Sequence, residues 1–176
     1  PPVPPSINGT GISMDVCANG LDDLLLRLGP SARRQSVADQ CAFAAEEAIR
    51  NLPGYSYGYY VSALANFTRN DPEAALAALE RSQAYGPNEQ WIAELRVRLA
   101  EDNFDRLGAY AEEGHLADLA LLAQSRRGIR TIAARYVENA GFRERITGVV
   151  EALPMDVQQR FVSLVRAEAN ALGAGG

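Results

Sequence analysis

The chain has no lysine. All 17 of its basic residues are arginine, and 22 acidic residues outweigh them, for a net charge of −5 and a pI near 5.0. That balance disfavours non-specific binding to nucleic acid or to anionic lipid, both of which reward a basic surface. Histidine occurs once, so a His-based triad has a single candidate and a closed His/Cys zinc centre lacks its usual ligands. The chain is read as having no nucleophile motif, no phosphate-binding loop and no dinucleotide fingerprint. No apolar run approaches the roughly 20 residues of a membrane-spanning helix. The opening Pro1-Pro2-Val3-Pro4-Pro5-Ser6 lacks a Met and reads as a trimmed chain beginning in a linker, with loss of a signal peptide or anchor among the explanations.

What is abundant is alanine and leucine, the best helix formers. Strands prefer Val, Ile and Thr, and no segment reads as one. At 176 residues and 47% apolar content, the chain is one domain, or one with a small appendage. It can bury roughly 70% of its unfolded surface.

Cysteine is also scarce: Cys17 and Cys41 are the only two. Gly29-Pro30 breaks the helical pattern between them. Cys17 lies 12 residues before Gly29 and Cys41 lies 11 after Pro30. An antiparallel hairpin folded at that turn brings the thiols opposite each other. A bridge would close a loop of about 25 residues, a stabilisation of about 3–4 kcal/mol in the chain-entropy model. It would also point to a periplasmic or secreted location. The alternative is two buried free thiols in a cytosolic protein. A helix break at Asn19-Gly20 would destroy the facing geometry.

The pattern divides the chain into an extended Pro/Gly-rich arm (1–12), a helical hairpin (13–54), a repeat-like segment (55–100) and additional helices (101–172). The first helix, about 13–28, places Leu21, Leu24, Leu25 and Leu28 on one face. The second runs from Ser31, as N-cap, to Asn51, with a small stripe of Val37, Ala38, Cys41, Ala44, Ala45 and Ala48. A third covers about 55–69. Asp71 caps a fourth that starts with Pro72 and ends at Tyr85. A fifth starts at Asn88 and carries Trp91, Ile92, Leu95 and Leu99. The stretch 101–114 is weakened by Gly108 and Gly114. From 115 the pattern recovers, with Leu116, Leu119, Ala120 and Leu122, and three later helices are expected at about 127–139, 141–152 and 154–171.

Pro53 and Pro87 lie 34 residues apart, the period of a tetratricopeptide unit. Residues 56–89 resemble one such repeat. Tyr59 takes its early aromatic position, Ala63 the small position of the first helix, Ala75 the small crossing position, Leu79 the large apolar one, Ser82 the next small one and Pro87 the closing proline. Ser62 and Asn66 depart from the usual Leu and Tyr. One unit upstream, Leu28-Gly29, Cys41, Ala45, Ala48 and Pro53 take matching places, with Pro30 foreign to the pattern. From Asn88 a third unit fits well only at Ala109. The resemblance implies an all-α fold: a short right-handed array of antiparallel hairpins with extra C-terminal helices, of the type found in bacterial envelope-associated proteins.

Such scaffolds bind partners. In the repeat register, Tyr57, Tyr60, Leu64 and Phe67 face the concave groove, and Trp91 stands in the next unit; Tyr and Trp are enriched in binding hot spots. These five are the expected partner-binding residues. Against them stands burial in an inter-repeat core. His115, with Glu112 and Asp118 three residues either side, offers one or two metal ligands at most and otherwise reads as an exposed polar turn. Glu46-Glu47 and Glu112-Glu113 are adjacent and so diverge on a helix, which argues against acid/base pairs. Arg126-Arg127-Gly128-Ile129-Arg130 reads as a solvated helix start rather than a nucleic-acid helix. The expectation is therefore a non-enzymatic, cofactor-free interaction scaffold of the bacterial envelope, bound to another protein. The alternatives are a structural subunit of a secretion, pilus or polysaccharide-export assembly, and, less favoured, an enzyme or carrier.

Overall fold

Every regular element of the computed structural model, which describes residues 7–173, is helical: ten α-helices and two short 3-10 turns, with no strand among the described residues. The chain divides into two compact units, one comprising residues up to Pro87 together with Asp105–Tyr110, the other comprising the remainder.

In the first unit, α1 (Ile7–Asp22) buries Thr10, Met14, Cys17, Ala18 and Leu21. Their three- and four-residue spacing makes one stripe of a helix. That burial overrides the cost of Gly9 and Gly11, about 1 kcal/mol each relative to alanine. Residues 7–12, expected to be an extended arm, are therefore helical. The expected arm's residues 1–6 lie outside the described residues. Asn19-Gly20 does not break α1. The break comes at Asp23, whose carboxylate accepts the Leu26 N–H at 3.0 Å and starts α2 (Leu24–Leu28).

That restart corrects the expected leucine face. Leu21 and Leu26 are buried, whereas Leu24, Leu25 and Leu28 are exposed. Gly29 ends α2, and Pro30 leads into α3 (Ser31–Asn51), with Ser31 as the first helical residue rather than the cap. Of the expected small stripe, Ala38, Cys41, Ala45 and Ala48 are buried and Val37 and Ala44 half-buried; Ala42, outside it, is buried as well. Cys17 and Cys41 form a disulfide across α1 and α3 with their Cα atoms 5.5 Å apart.

Helix α4 (Ser56–Thr68) packs against α1, α3 and α5 (Pro72–Tyr85). Asn70, in a left-handed conformation that asparagine tolerates better than most residues, turns the chain between α4 and α5. Asp71 accepts the Ala74 N–H at 3.1 Å, and Pro72 occupies the first turn, as expected. Ser56 and Ser82 lock the two helices together. The Ser56 hydroxyl donates to the Ser82 carbonyl at 2.7 Å, and the Ser82 hydroxyl to the Ser56 carbonyl at 3.0 Å.

In the second unit, α7 (Gly114–Ala123) packs on α6 (Gln90–Asp102), α8 (Arg126–Glu138) and α9 (Ala140–Glu151). Helix α10 (Met155–Gly173) packs on α8 and α9. Val97, Leu119, Leu122, Ile129, Phe142, Ile146 and Phe161 belong to one apolar core. Ser125 caps α8 and Asn139 caps α9. A Cβ on Gly128 would lie 2.3 Å from the Leu122 carbonyl oxygen, so only glycine admits that approach. None of the helices among the described residues is long and apolar enough to cross a membrane.

Candidate functional site

The tyrosine-rich helix does not present an open groove. Tyr57, Tyr60, Leu64 and Phe67 are all buried, which corrects the expectation that they line an open concave groove and fits the alternative of a core position. The reason lies in α4 itself. Its sequence is apolar or aromatic almost all round, and such a helix is stable only when covered on most sides. The Tyr57 hydroxyl donates to the Asp15 carboxylate at 2.9 Å, and its ring stacks on Tyr60 with centroids 5.9 Å apart. Burial, and then this bond, push the Tyr57 phenol well above its ordinary pKa, so it remains a neutral donor. The Arg106 guanidinium covers Phe67, 5.2 Å from the ring centroid. Trp91 is in the second unit, on the first turn of α6, and is 43% exposed.

One pattern escaped the sequence reading. Gly54-Tyr55-Ser56-Tyr57-Gly58 matches the Gly-x-Ser-x-Gly spacing of a nucleophile elbow. The elbow requires a strand leading into a tight turn that exposes the serine. Here the motif starts α4 without a strand, and Ser56 is buried with its hydroxyl donated to the Ser82 carbonyl. It serves helix packing.

The surface of the first unit offers a different site. Between α1 and α3 runs a groove of about 300 Å³. Its buried lining is Thr10, Met14 and Ala48; Gly9, Ser13, Phe43 and Ala44 line it farther out, with polar side chains of Glu47 and Asn51 beside them. Phe43 is 65% exposed. Sequence reasoning missed it, although a signal was present. Phe43 falls outside the Ala38–Cys41–Ala45–Ala48 stripe, and a large aromatic on the far side of a small-residue helix has no place in that helix's core. The disulfide joins the two walls directly, since Cys17 belongs to α1 and Cys41 to α3.

In the second unit the titratable groups are interior. His115 is fully buried, not on an exposed polar turn. Its Nε2 pairs with Glu101 Oε1 at 2.6 Å, and the Arg145 guanidinium holds the same carboxylate. The Phe104 ring meets His115 edge-on and carries Arg145 over its face at 3.6 Å. Burial alone would raise the Glu101 pKa. Hydrogen bonds and charge from His115 and Arg145 outweigh it and hold the carboxyl below its ordinary value. One turn along α7, Asp118 takes a two-pronged bond from Arg96 at 2.7 and 2.6 Å, with both side chains buried. Glu112 is exposed, so the expected Glu112–His115–Asp118 face does not converge. Among the described residues no group of three or more His, Cys, Asp or Glu is placed to hold a metal. The arginine run starts α8 on the surface, with Arg127 paired to Glu94 and Arg130 to Glu168.

No protein-family model matches the chain, and neither a curated protein nor a solved structure matches it.

Proposed function

We propose that this chain is a non-enzymatic adaptor of an oxidising, extracytoplasmic bacterial compartment, and that it receives an apolar helix of a partner protein in the groove between α1 and α3. The observation that carries the reading is Phe43, a large exposed aromatic beside a floor made by Met14. Gly9, Ser13 and Ala44 leave room for an incoming helix backbone, while Phe43 and Met14 supply apolar contact area. The Cys17–Cys41 bridge fixes the spacing of the walls, which lowers the ordering cost of binding. The same bridge supports the compartment, because disulfides persist where thiols are not kept reduced. Within this reading, the α4–α5 hairpin is a tetratricopeptide-like unit of a short array whose consecutive helices α3, α4 and α5 pack in sequence.

The test places a photoreactive residue at Phe43 and, as control, at exposed Glu80, and irradiates each protein in an envelope extract. The Phe43 position gives one discrete adduct that disappears when Ser13→Trp fills the groove. The same adduct from position 80, or an adduct that survives the filled groove, would overturn the reading.

Ile12 and Val16 favour a second reading, a permanent structural subunit. They are 66% and 67% exposed and lie opposite the buried stripe of α1, so that helix is apolar on two sides. If a subunit covers that face in the assembly, the isolated chain self-associates, and Ile12→Ser with Val16→Ser makes it monodisperse by light scattering.

A further inference from the structure

The corner between α1 and α3 carries features that the groove does not use. Leu24, Leu25 and Leu28 are 63%, 81% and 77% exposed, three leucines from a helix of five residues. The corner is braced. Asp23 caps α2, Leu26 anchors it in the interior, the Gly29 N–H bonds to the Leu26 carbonyl at 3.2 Å, and Arg34 Nη1 donates to the Arg27 carbonyl at 2.9 Å. The leucines are therefore held outward by a fixed backbone.

Arginine surrounds them. Arg27 follows within α2, and Arg33 and Arg34 open α3. None of the three forms an ion pair with a carboxylate among the described residues, a state they share with Arg81, Arg126, Arg143, Arg160 and Arg166. Three guanidinium groups without a carboxylate partner thus stand close in the chain to three exposed leucines, with that of Arg34 bonded to the Arg27 carbonyl. Asp22 and Asp23 stand at the other, N-terminal end of α2, and Asp23 is turned to its capping bond.

We propose that this corner docks on a bilayer surface that contains anionic lipid. Leucines that stand proud of the fold enter the boundary between headgroups and acyl chains, and the arginines take lipid phosphates, which their planar forks match. Such a contact needs no groove in the protein and no spanning helix. The chain's overall negative charge, which disfavours lipid binding when read from composition, acts weakly here. Charges farther away than a Debye length, about 8–10 Å at physiological salt, are screened, and in the immediate neighbourhood of α2 Arg27, Arg33 and Arg34 outnumber Asp22 and Asp23.

Vesicle flotation of the full chain with its disulfide intact tests this, independently of the partner groove. The protein is expected to float with vesicles made of equal parts phosphatidylglycerol and phosphatidylethanolamine and to remain at the bottom with phosphatidylcholine alone. Leu25→Ser with Leu28→Ser lowers partitioning by more than about tenfold. Arg27→Gln or Arg33→Gln lowers it roughly fivefold on the anionic vesicles only. Val162→Ser, which removes an exposed apolar side chain of α10, leaves it unchanged. Circular dichroism and the intact disulfide mass confirm that each variant is folded. Three results would each overturn the proposal: no flotation of the wild type with the anionic vesicles, equal flotation of the leucine variant, or a wild-type dimer in solution that the leucine variant splits. The last would assign the corner to a second copy of the chain.

Discussion

In the first unit the buried polar groups are mainly hydroxyls, and a disulfide ties two of its helices; in the second they are charges. Ser56 and Ser82 exchange neutral hydrogen bonds between α4 and α5, while Arg96–Asp118 and Glu101–Arg145, with His115 bonded to Glu101, place salt bridges inside the second unit. The apolar packing differs in the same sense. The α3 stripe is built mainly of alanine, which buries little area per residue, and the second core is built from Leu, Ile, Val and Phe. A contact surface of small side chains gains little from burial, and the Cys17–Cys41 bond compensates by restricting the unfolded chain. The core of bulky residues can carry buried ion pairs, whose net contribution is small but whose geometry is specific.

The sharpest way to break this comparison is to remove one partner of the buried pair. Asp118→Ala removes the carboxylate that takes both prongs of the buried Arg96 guanidinium, and is expected to cost about 3–5 kcal/mol in denaturant unfolding. Replacing both, with Arg96→Met and Asp118→Leu, is expected to recover most of that loss. If the double replacement were as damaging as the single one, the pair would be contributing more than mutual neutralisation.

Next in size is the covalent clamp. Cys17→Ala with Cys41→Ala is expected to destabilise the first unit by about 3 kcal/mol. Hydrogen exchange should show α1 to α4 losing protection while α6 to α10 keep theirs. Uniform loss over both units would mean that the two are not stabilised independently.

Glu101 gives a smaller effect with a defined sign. In the folded chain its carboxyl is held below the ordinary value near 4.5, so folded protein binds this proton less readily than unfolded. The stability it contributes is present above that ordinary value and is lost as pH falls through the lower, folded one. Amide protection in α6, α7 and α9 should therefore decline as the pH drops below about 5. Glu101→Gln should be less stable at neutral pH and show less decline over that window. The smallest effect is expected at the leucine corner: Leu25→Ser should change unfolding by no more than about 0.5 kcal/mol, because the side chain is already in solvent.

Much of the architecture was legible in the residues because its signals are local. Proline and glycine mark the breaks at 29–30, 53–54 and 86–87, Asp71 and Pro72 define the start of α5, and the symmetric placement of two cysteines about a turn predicts their bond. The helical pattern weakens over 101–114; there α6 runs on to Asp102, two short 3-10 turns, Phe104–Arg106 and Gly108–Ala111, follow, with positive φ at Gly108, and α7 starts at Gly114. The candidate site was not legible in the same way. Tyr57, Tyr60, Leu64 and Phe67 have the composition of a binding face and also that of a core, and periodicity treats the two alike. His115 looks solvated beside Gly114, Glu112 and Glu113. Its partner Glu101 and the Arg145 that holds Glu101 stand 14 and 30 positions away in the chain, and nothing local announces them.

By itself the sequence determined an all-helical chain, the turns marked by proline and glycine and the pairing of its cysteines, because helix propensity, capping and turn chemistry act between near neighbours. Only the tertiary structure decided which apolar side chains are covered. It buried the tyrosines of α4, turned the leucines of α2 outward, left Phe43 beside a groove and brought His115, Glu101 and Arg145 together. Burial is set by what packs against a residue, and a helix that is apolar on more than one side does not carry in its own sequence the choice of which side will be covered.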